Sequence, residues 1–383
     1  MPSRFLLPVL ALAVYFVGAT EFMLSAMLTP LADAFETTPA QASWLVSSYA
    51  LSYAVAAPLF GHLSDRIDRR RLLLASLMLF ALDGTALTLA PSFSFAIGLR
   101  VFGGLASAAL IPTAFALISD LMPGERQAGA MGFVMLGMTL GIAAGPVFAG
   151  FLTEELTWRA PFILTAAGCL ITFALGRFAI PRSSAHGHRR DGASFAWLKK
   201  RRIVRPLVGK GAWNGTAVAA FLLSGEVLRR RYGFGAAEIG ASVSVFGIGL
   251  GIGNLAVGRI GRICGRDEVT LMLATLVVAI ALTAFMIAPL PFLGSVLSLG
   301  IWGAALGLAA PSSAAILAMR AGEDKGMVLA TSESLNNLTI LVILPIAAVL
   351  LASHGIEAAM LVLGTSILIG VGLTVIDLRA AMS

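Results

Sequence analysis

The sequence predicts an all-α membrane protein of twelve transmembrane helices in two pseudo-symmetric six-helix bundles. Of 383 residues, 58% are hydrophobic and only 12% are charged, about half the charge of a typical soluble domain. Apolar runs of about 20 residues, enough to cross a bilayer, recur along the whole length. Landmarks repeat at a near-constant offset: Gly61 precedes Gly258 by 197 residues, Pro112 precedes Pro311 by 199, and Pro146 precedes Pro345 by 199. Duplication of a six-helix unit follows, with bundles over 1–180 and 205–383 and a polar linker over 181–204. Such repeats put a substrate path between the halves near the bilayer midplane, opened alternately to each side.

The spans fall at 5–31, 42–61, 72–90, 93–119, 128–151 and 160–180 in the first half. In the second they fall at 206–227, 236–258, 269–288, 291–318, 327–352 and 357–378. The first carries "VGATEFMLSAM" with Glu21 in its middle; it is too long and too acidic there for a cleaved signal, and no small-residue cleavage site follows. The third holds Asp83, the fourth Arg100, and the fifth a glycine stripe ending in Pro146. The linker, "PRSSAHGHRRDGASFAWLKKRRIV", reads as flexible with a surface helix near Phe195–Arg202. Its His186 and His188 lack the further ligands a metal site needs, so no metal or other cofactor is expected.

The formal charge of +7 reports topology rather than nucleic-acid binding. Of 27 Lys and Arg, 21 lie in or beside the loops on one side, among them Arg66, Arg69, Arg70, Arg126, Arg262 and Arg320. The other side has Arg159 and Arg229 to Arg231. The positive-inside rule then places both termini in the cytoplasm. Cys169 and Cys264 lie in separate halves and read as small buried hydrophobes, not a disulfide.

The loop after the second span reads "GHLSDRIDRRRLL". Gly61 lets two helices approach, and Asp65 stands ahead of an arginine cluster where it can meet a helix N-terminus. This spacing resembles the signature loop of the major facilitator superfamily. The fourth span, "LRVFGGLASAA", is similar to the Arg-x-x-Gln-Gly pattern of proton-coupled members, with Gly103 in place of the glutamine. The fifth, "GMTLGIAAGPVFAG", resembles the antiporter motif, with Ala149 replacing one glycine. Glycines four apart make a smooth packing stripe, and the proline lets the helix bend.

The resemblance covers nearly the whole chain and points to the arabinose-efflux, purine-efflux and drug:proton antiporter branch. It implies a monomeric transporter of the bacterial inner membrane, not an enzyme, exporting a small organic compound or drug in exchange for protons. The alternative is a proton symporter or uniporter for a sugar, nucleoside or amino acid. Gating falls to Gly61, Asp65, Arg66, Arg69, Arg70, Gly141, Gly145 and Pro146.

Ionisable residues inside the bilayer are functional candidates because burying them is costly. At about 1.5 Å per residue, Glu21 and Arg100 come out at similar depth, and Asp83 near them. Desolvation favours a neutral carboxyl and a nearby arginine favours the charged one, so Glu21, Arg100 and Asp83 are the proton-handling candidates. Gly18 and Ser25 share Glu21's face. Glu21, Phe22 and Ser25, with Trp213, Asn214, Asn254, Trp302, Asn336 and Asn337 of the second half, are the candidate substrate contacts. Lys210 is expected to snorkel towards the cytoplasm, and Glu333 lies one turn nearer that side than Asn336 and Asn337.

Overall fold

A computed structural model describes residues 4–63, 68–181 and 196–382. The helices are α1 Leu6–Phe22, α2 Leu24–Ala34, α3 Pro39–Ala42, α4 Trp44–Leu63, α5 Arg69–Thr88, α6 Phe93–Leu121, α7 Gly124–Glu155 and α8 Ala160–Ala179 in the first half. The second half has α9 Arg201–Tyr232, α10 Ala236–Cys264, α11 Asp267–Ile287, α12 Phe292–Ala321, α13 Lys325–His354 and α14 Ile356–Met382. Counting α1 and α2 as one broken span and setting the single-turn α3 aside gives twelve among the described residues. Large apolar side chains such as Leu59, Phe148, Ile171, Leu255, Ile280 and Leu361 are exposed on the outside, as a lipid-facing surface requires.

The first span is not one straight helix: α1 and α2 meet at 56°. The cause is local. The Ala26 N–H bonds to the Met23 carbonyl at 3.1 Å, one residue short of its helical partner Phe22. The Ser25 hydroxyl takes over the Phe22 carbonyl at 2.8 Å. A serine bonding back one turn bends helices in this way. The bend divides the span's loyalties: α1 packs on α7 and α8 of its own half, while α2 packs mainly on α9 and also on α7 and α10.

The antiporter-like stripe does what small residues allow. A Cβ on Gly137 would overlap the Ala11 carbonyl, and one on Gly141 the Tyr15 carbonyl; one on Gly145 would lie 2.7 Å from Ala19 Cα. These contacts step along α1 by four residues each time. Beyond them α7 turns to α10: Gly150 faces Ala236, Gly240 faces the Pro146 carbonyl, and Gly247 faces Ala143.

At the end that carries the termini, each half is stapled by ions, and the staples are charge-inverted. Arg69 pairs with Asp120 at 2.5 Å. In the second half Arg320 pairs with Glu268 at 3.1 Å and Asp377 at 2.7 Å. Glu268 stands 199 residues after Arg69, and Arg320 stands 200 after Asp120, so repeat-related positions have exchanged signs. Arg70 donates to the Arg177 carbonyl at 2.6 Å, and Asp68 caps α5 through the Arg71 N–H at 2.7 Å.

Three of the four arginines at the far end are helix caps. Arg159 donates to the Thr88 carbonyl at 2.9 Å and Arg230 to Leu351 at 2.7 Å. Arg231 reaches the Phe285 and Met286 carbonyls, each at 2.9 Å. Cations satisfy the last carbonyls of a helix and its negative dipole end, which accounts for positive charge on the side otherwise poor in it.

Of the linker, 182–195 lies outside the described residues, including His186 and His188. The expected surface helix is a short 3-10 turn, Ala196–Lys199, and it is anchored: Trp197 is buried among Ile203, Leu207, Leu317, Ala321 and Val328. An indole of that size holds the start of α9 to the second bundle rather than leaving it loose. Both cysteines are free.

Candidate functional site

Arg100 on α6 is 1% exposed, and neighbours on α4 and α5 surround its guanidinium. It pairs with Asp83 at 3.2 Å, donates from Nε to the Leu45 carbonyl at 3.3 Å, and lies 4.7 Å over the Tyr49 ring. Gly103 makes this possible, because a Cβ there would collide with the Asp83 carboxylate. Asp83 therefore fills the place that the longer side chain of the resembling motif would take.

Glu21 is half-buried at the pivot of the first span, two residues before Met23. Arg100 and Glu333 act on it electrostatically, yet among the described residues it has no hydrogen-bond or ion-pair partner. Arg100 is thus bonded to Asp83, with Glu21 within its field.

A second ion pair stands in the other half. Lys210 is 3% exposed, and its Nζ meets Glu333 Oε1 at 2.9 Å. Asn336 Nδ2 donates to Glu333 Oε2 at 3.0 Å, and Asn337 Nδ2 to the Glu333 carbonyl at 3.0 Å. The expectation that Lys210 snorkels does not hold, because a carboxylate on α13 meets it inside the bundle. Tyr53 on α4 lies within the fields of both Glu333 and Glu21.

Beyond Glu21 the molecule is closed. Phe22 packs on Phe221 with ring centroids 5.4 Å apart, and Phe221 leads through Phe246 to Trp302. Thr29 donates to Glu226 at 2.5 Å. A Cβ on Gly225 would overlap the Ser25 carbonyl. Phe22 and Phe221 are 199 residues apart and Thr29 and Glu226 197, so equivalent points of the two repeats meet on the axis relating them. At the rim, the Ala237 N–H donates to Glu154 at 2.8 Å. Towards the terminal end, Cβ positions on Gly129, Gly132 and Gly258 meet open space.

The remaining candidates separate into walls and core. Asn214 and Asn254 are half-buried, and Asn254 reaches Thr139 of the first half at 3.4 Å. Trp213 is buried with its backbone against Gly370. Trp302 is fully buried among Phe221, Phe246 and Phe285. Ser25 is engaged in the bend. Gly61 lies in the last turn of α4, while Asp65 and Arg66 lie outside the described residues. The sequence reading gave no role to Glu226, Glu154 or Tyr53. An acid followed by three arginines at the end of a span, "GEVLRRR", was the available signal for Glu226.

The model of the Major Facilitator Superfamily matches residues 10–229 and 211–380. The inner membrane transport protein YdhP of Escherichia coli O157:H7 is 25% identical over 306 residues, 78% of this chain and 77% of that protein. A chloramphenicol resistance protein of Streptomyces lividans is 29% identical over 255 residues, 66% of this chain and 65% of its own. The MFS-type transporter YtbD of Bacillus subtilis is 25% identical over 256 residues, and the match spans only 64% of its length. Among solved structures, a bacterial homolog of the human lysosomal transporter Spinster, inward-facing and unoccupied, superposes with a TM-score of 0.74. Identity there is 16%, over 97% of this chain and 95% of that one. The chain is a multi-pass membrane protein and belongs to the Major Facilitator Superfamily.

Proposed function

We propose that this transporter is a proton-driven antiporter that carries a small organic compound out of the bacterial cytoplasm, working as a monomer with both termini inside. One observation carries the reading: Glu21, at the pivot of the first span and beneath the closed far end, has no bonded partner among the described residues. A carboxylate so placed in apolar surroundings is costly to keep charged, and a proton or a cation removes that cost. Protonation and substrate binding at one acid exclude each other, which is the requirement for exchange.

With the termini in the cytoplasm, the closure by Phe22, Phe221, Thr29 and Glu226 lies on the outer side, and the protein faces inward, ready to load. The resistance function named for the Streptomyces relative supports export. The test is Glu21→Gln in proteoliposomes, following substrate-driven proton movement together with counterflow exchange. Loss of proton movement with exchange retained is the expected result; undiminished proton coupling would overturn the assignment.

A further inference from the structure

We infer that Glu333, held from behind by Lys210 and Asn336, is the seat of a protonated amine on the transported molecule. The inference rests on the export reading and names the chemistry of its cargo.

Glu333 lies eight residues into α13, yet its side chain is 49% exposed, whereas Lys210 behind it is 4% exposed. A carboxylate standing open inside a membrane protein marks a site rather than a brace. Its two oxygens are each held from one side, by Lys210 Nζ on Oε1 and Asn336 Nδ2 on Oε2. Lys210 and Asn336 thus each spend a donor on Glu333 itself.

The two asparagines leave acceptors unmet. Asn336 and Asn337 are 4% and 6% exposed, and both direct Nδ2 at Glu333. Those bonds fix which end of each amide is oxygen. The Oδ1 of each is buried and has no partner among the described residues. The Asn336 oxygen belongs to the same amide whose nitrogen holds the carboxylate. A buried acceptor left unmet costs free energy that a donor-bearing guest can recover.

Charge points the same way. Glu21 on α1 and Glu333 on α13 are carboxylates of opposite halves, each close enough to be felt by the other, and α4, which carries Tyr53, packs on α13. Lys210 of α9 balances one of the two acids. Arg100 of α6 is bonded to Asp83 of α5. With Glu21 deprotonated, one negative charge therefore remains over the pair of carboxylates. An anion is repelled, a neutral polyol leaves the charge unbalanced, and a quaternary cation leaves the acceptors unmet. A primary or secondary ammonium supplies both charge and N–H donors. Arriving between acids of opposite halves, it takes at Glu21 the place of the proton.

The test uses the full chain in lipid nanodiscs, with monodansylcadaverine, a fluorescent primary amine, and its neutral N-acetyl derivative as probes. The amine is expected to bind saturably and the acetylated form at least tenfold more weakly. Glu333→Gln is expected to weaken amine binding tenfold or more, and Glu333→Asp to keep it within a few-fold. Lys210→Met, which removes only the competing cation, is expected to tighten it; a merely structural pair would lose binding in both variants. No saturable binding of the amine, equal binding of the acetylated form, or unchanged binding in Glu333→Gln overturns the inference. If the substituted chains fail to fold, as thermal unfolding will show, the contrast between amine and amide on the unaltered protein decides. Amine binding without proton coupling would defeat the antiport reading alone, and proton coupling without amine selectivity would defeat this site alone.

Discussion

The Asp83 carboxylate occupies the volume into which a side chain at Gly103 would grow: a Cβ on Gly103 would sit 2.8 Å from Asp83 Cγ. The two positions, on α5 and α6, therefore constrain each other's size. Gly103→Ala is expected to push the carboxylate off Arg100 and lower thermal stability. Asp83→Ala leaves Arg100 buried and unpaired, which costs about 3–5 kcal/mol. Asp83→Ala combined with Gly103→Gln puts a polar side chain back beside the guanidinium. It is expected to recover at least about 1 kcal/mol of coupling in a double-mutant cycle read by thermal unfolding.

The far-end closure rests on few polar contacts. Thr29→Val removes the hydrogen bond to Glu226. Bonds to charged groups are worth about 1.5–3 kcal/mol, and about 1.4 kcal/mol is a tenfold change in population. The far-end-open population should rise at least roughly tenfold. Spin labels on Glu36→Cys and Glu357→Cys, exposed at that end in opposite halves, would report it as a longer distance component. Glu154→Gln, which weakens the bond at the start of α10, is expected to move the distribution in the same direction.

Within α7, glycine matters at some positions and not at others. Gly141→Ala would drive a methyl into the Tyr15 backbone, which cannot step aside as a side chain can, so a loss of about 1–3 kcal/mol is expected. Gly129→Ala meets open space and replaces a helical glycine by a better helix former, so stability should hold or rise by up to about 1 kcal/mol. Thermal unfolding of the two variants side by side separates close packing from helix propensity.

Much of the architecture is legible in the chain, because hydropathy and duplication are long-range signals summed over many residues. The landmark offsets announce the duplication, but not that repeat-related points such as Phe22 and Phe221 meet. Depth along a helix is readable from its rise, so Glu21, Asp83 and Arg100 come out near one level. Rotation about the helix axis is not readable, and it is rotation that brings Asp83, rather than Glu21, onto Arg100. Lys210 shows the same limit: its distance from the helix end suggests an escape to water, while its partner comes from a span more than a hundred residues away. The bend at Met23 has no proline or glycine at the pivot to announce it. It arises from one serine hydroxyl replacing one backbone donor, a choice settled only when α2 has α9 to lie against.

That bend gives the first span the role of a lever with its fulcrum at Met23. One arm, α1, is locked to α7 by backbone contacts that leave no play, and the other, α2, rests on the opposite bundle. When the bundles rock and the far end parts, α2 must either lift from α9 or swing about the fulcrum. Either motion passes through Glu21, half a helical turn away. An acid mounted there would have its surroundings rebuilt in each cycle, and under the proposed exchange at Glu21 opening the gate and changing hands at the carboxylate would be a single mechanical event.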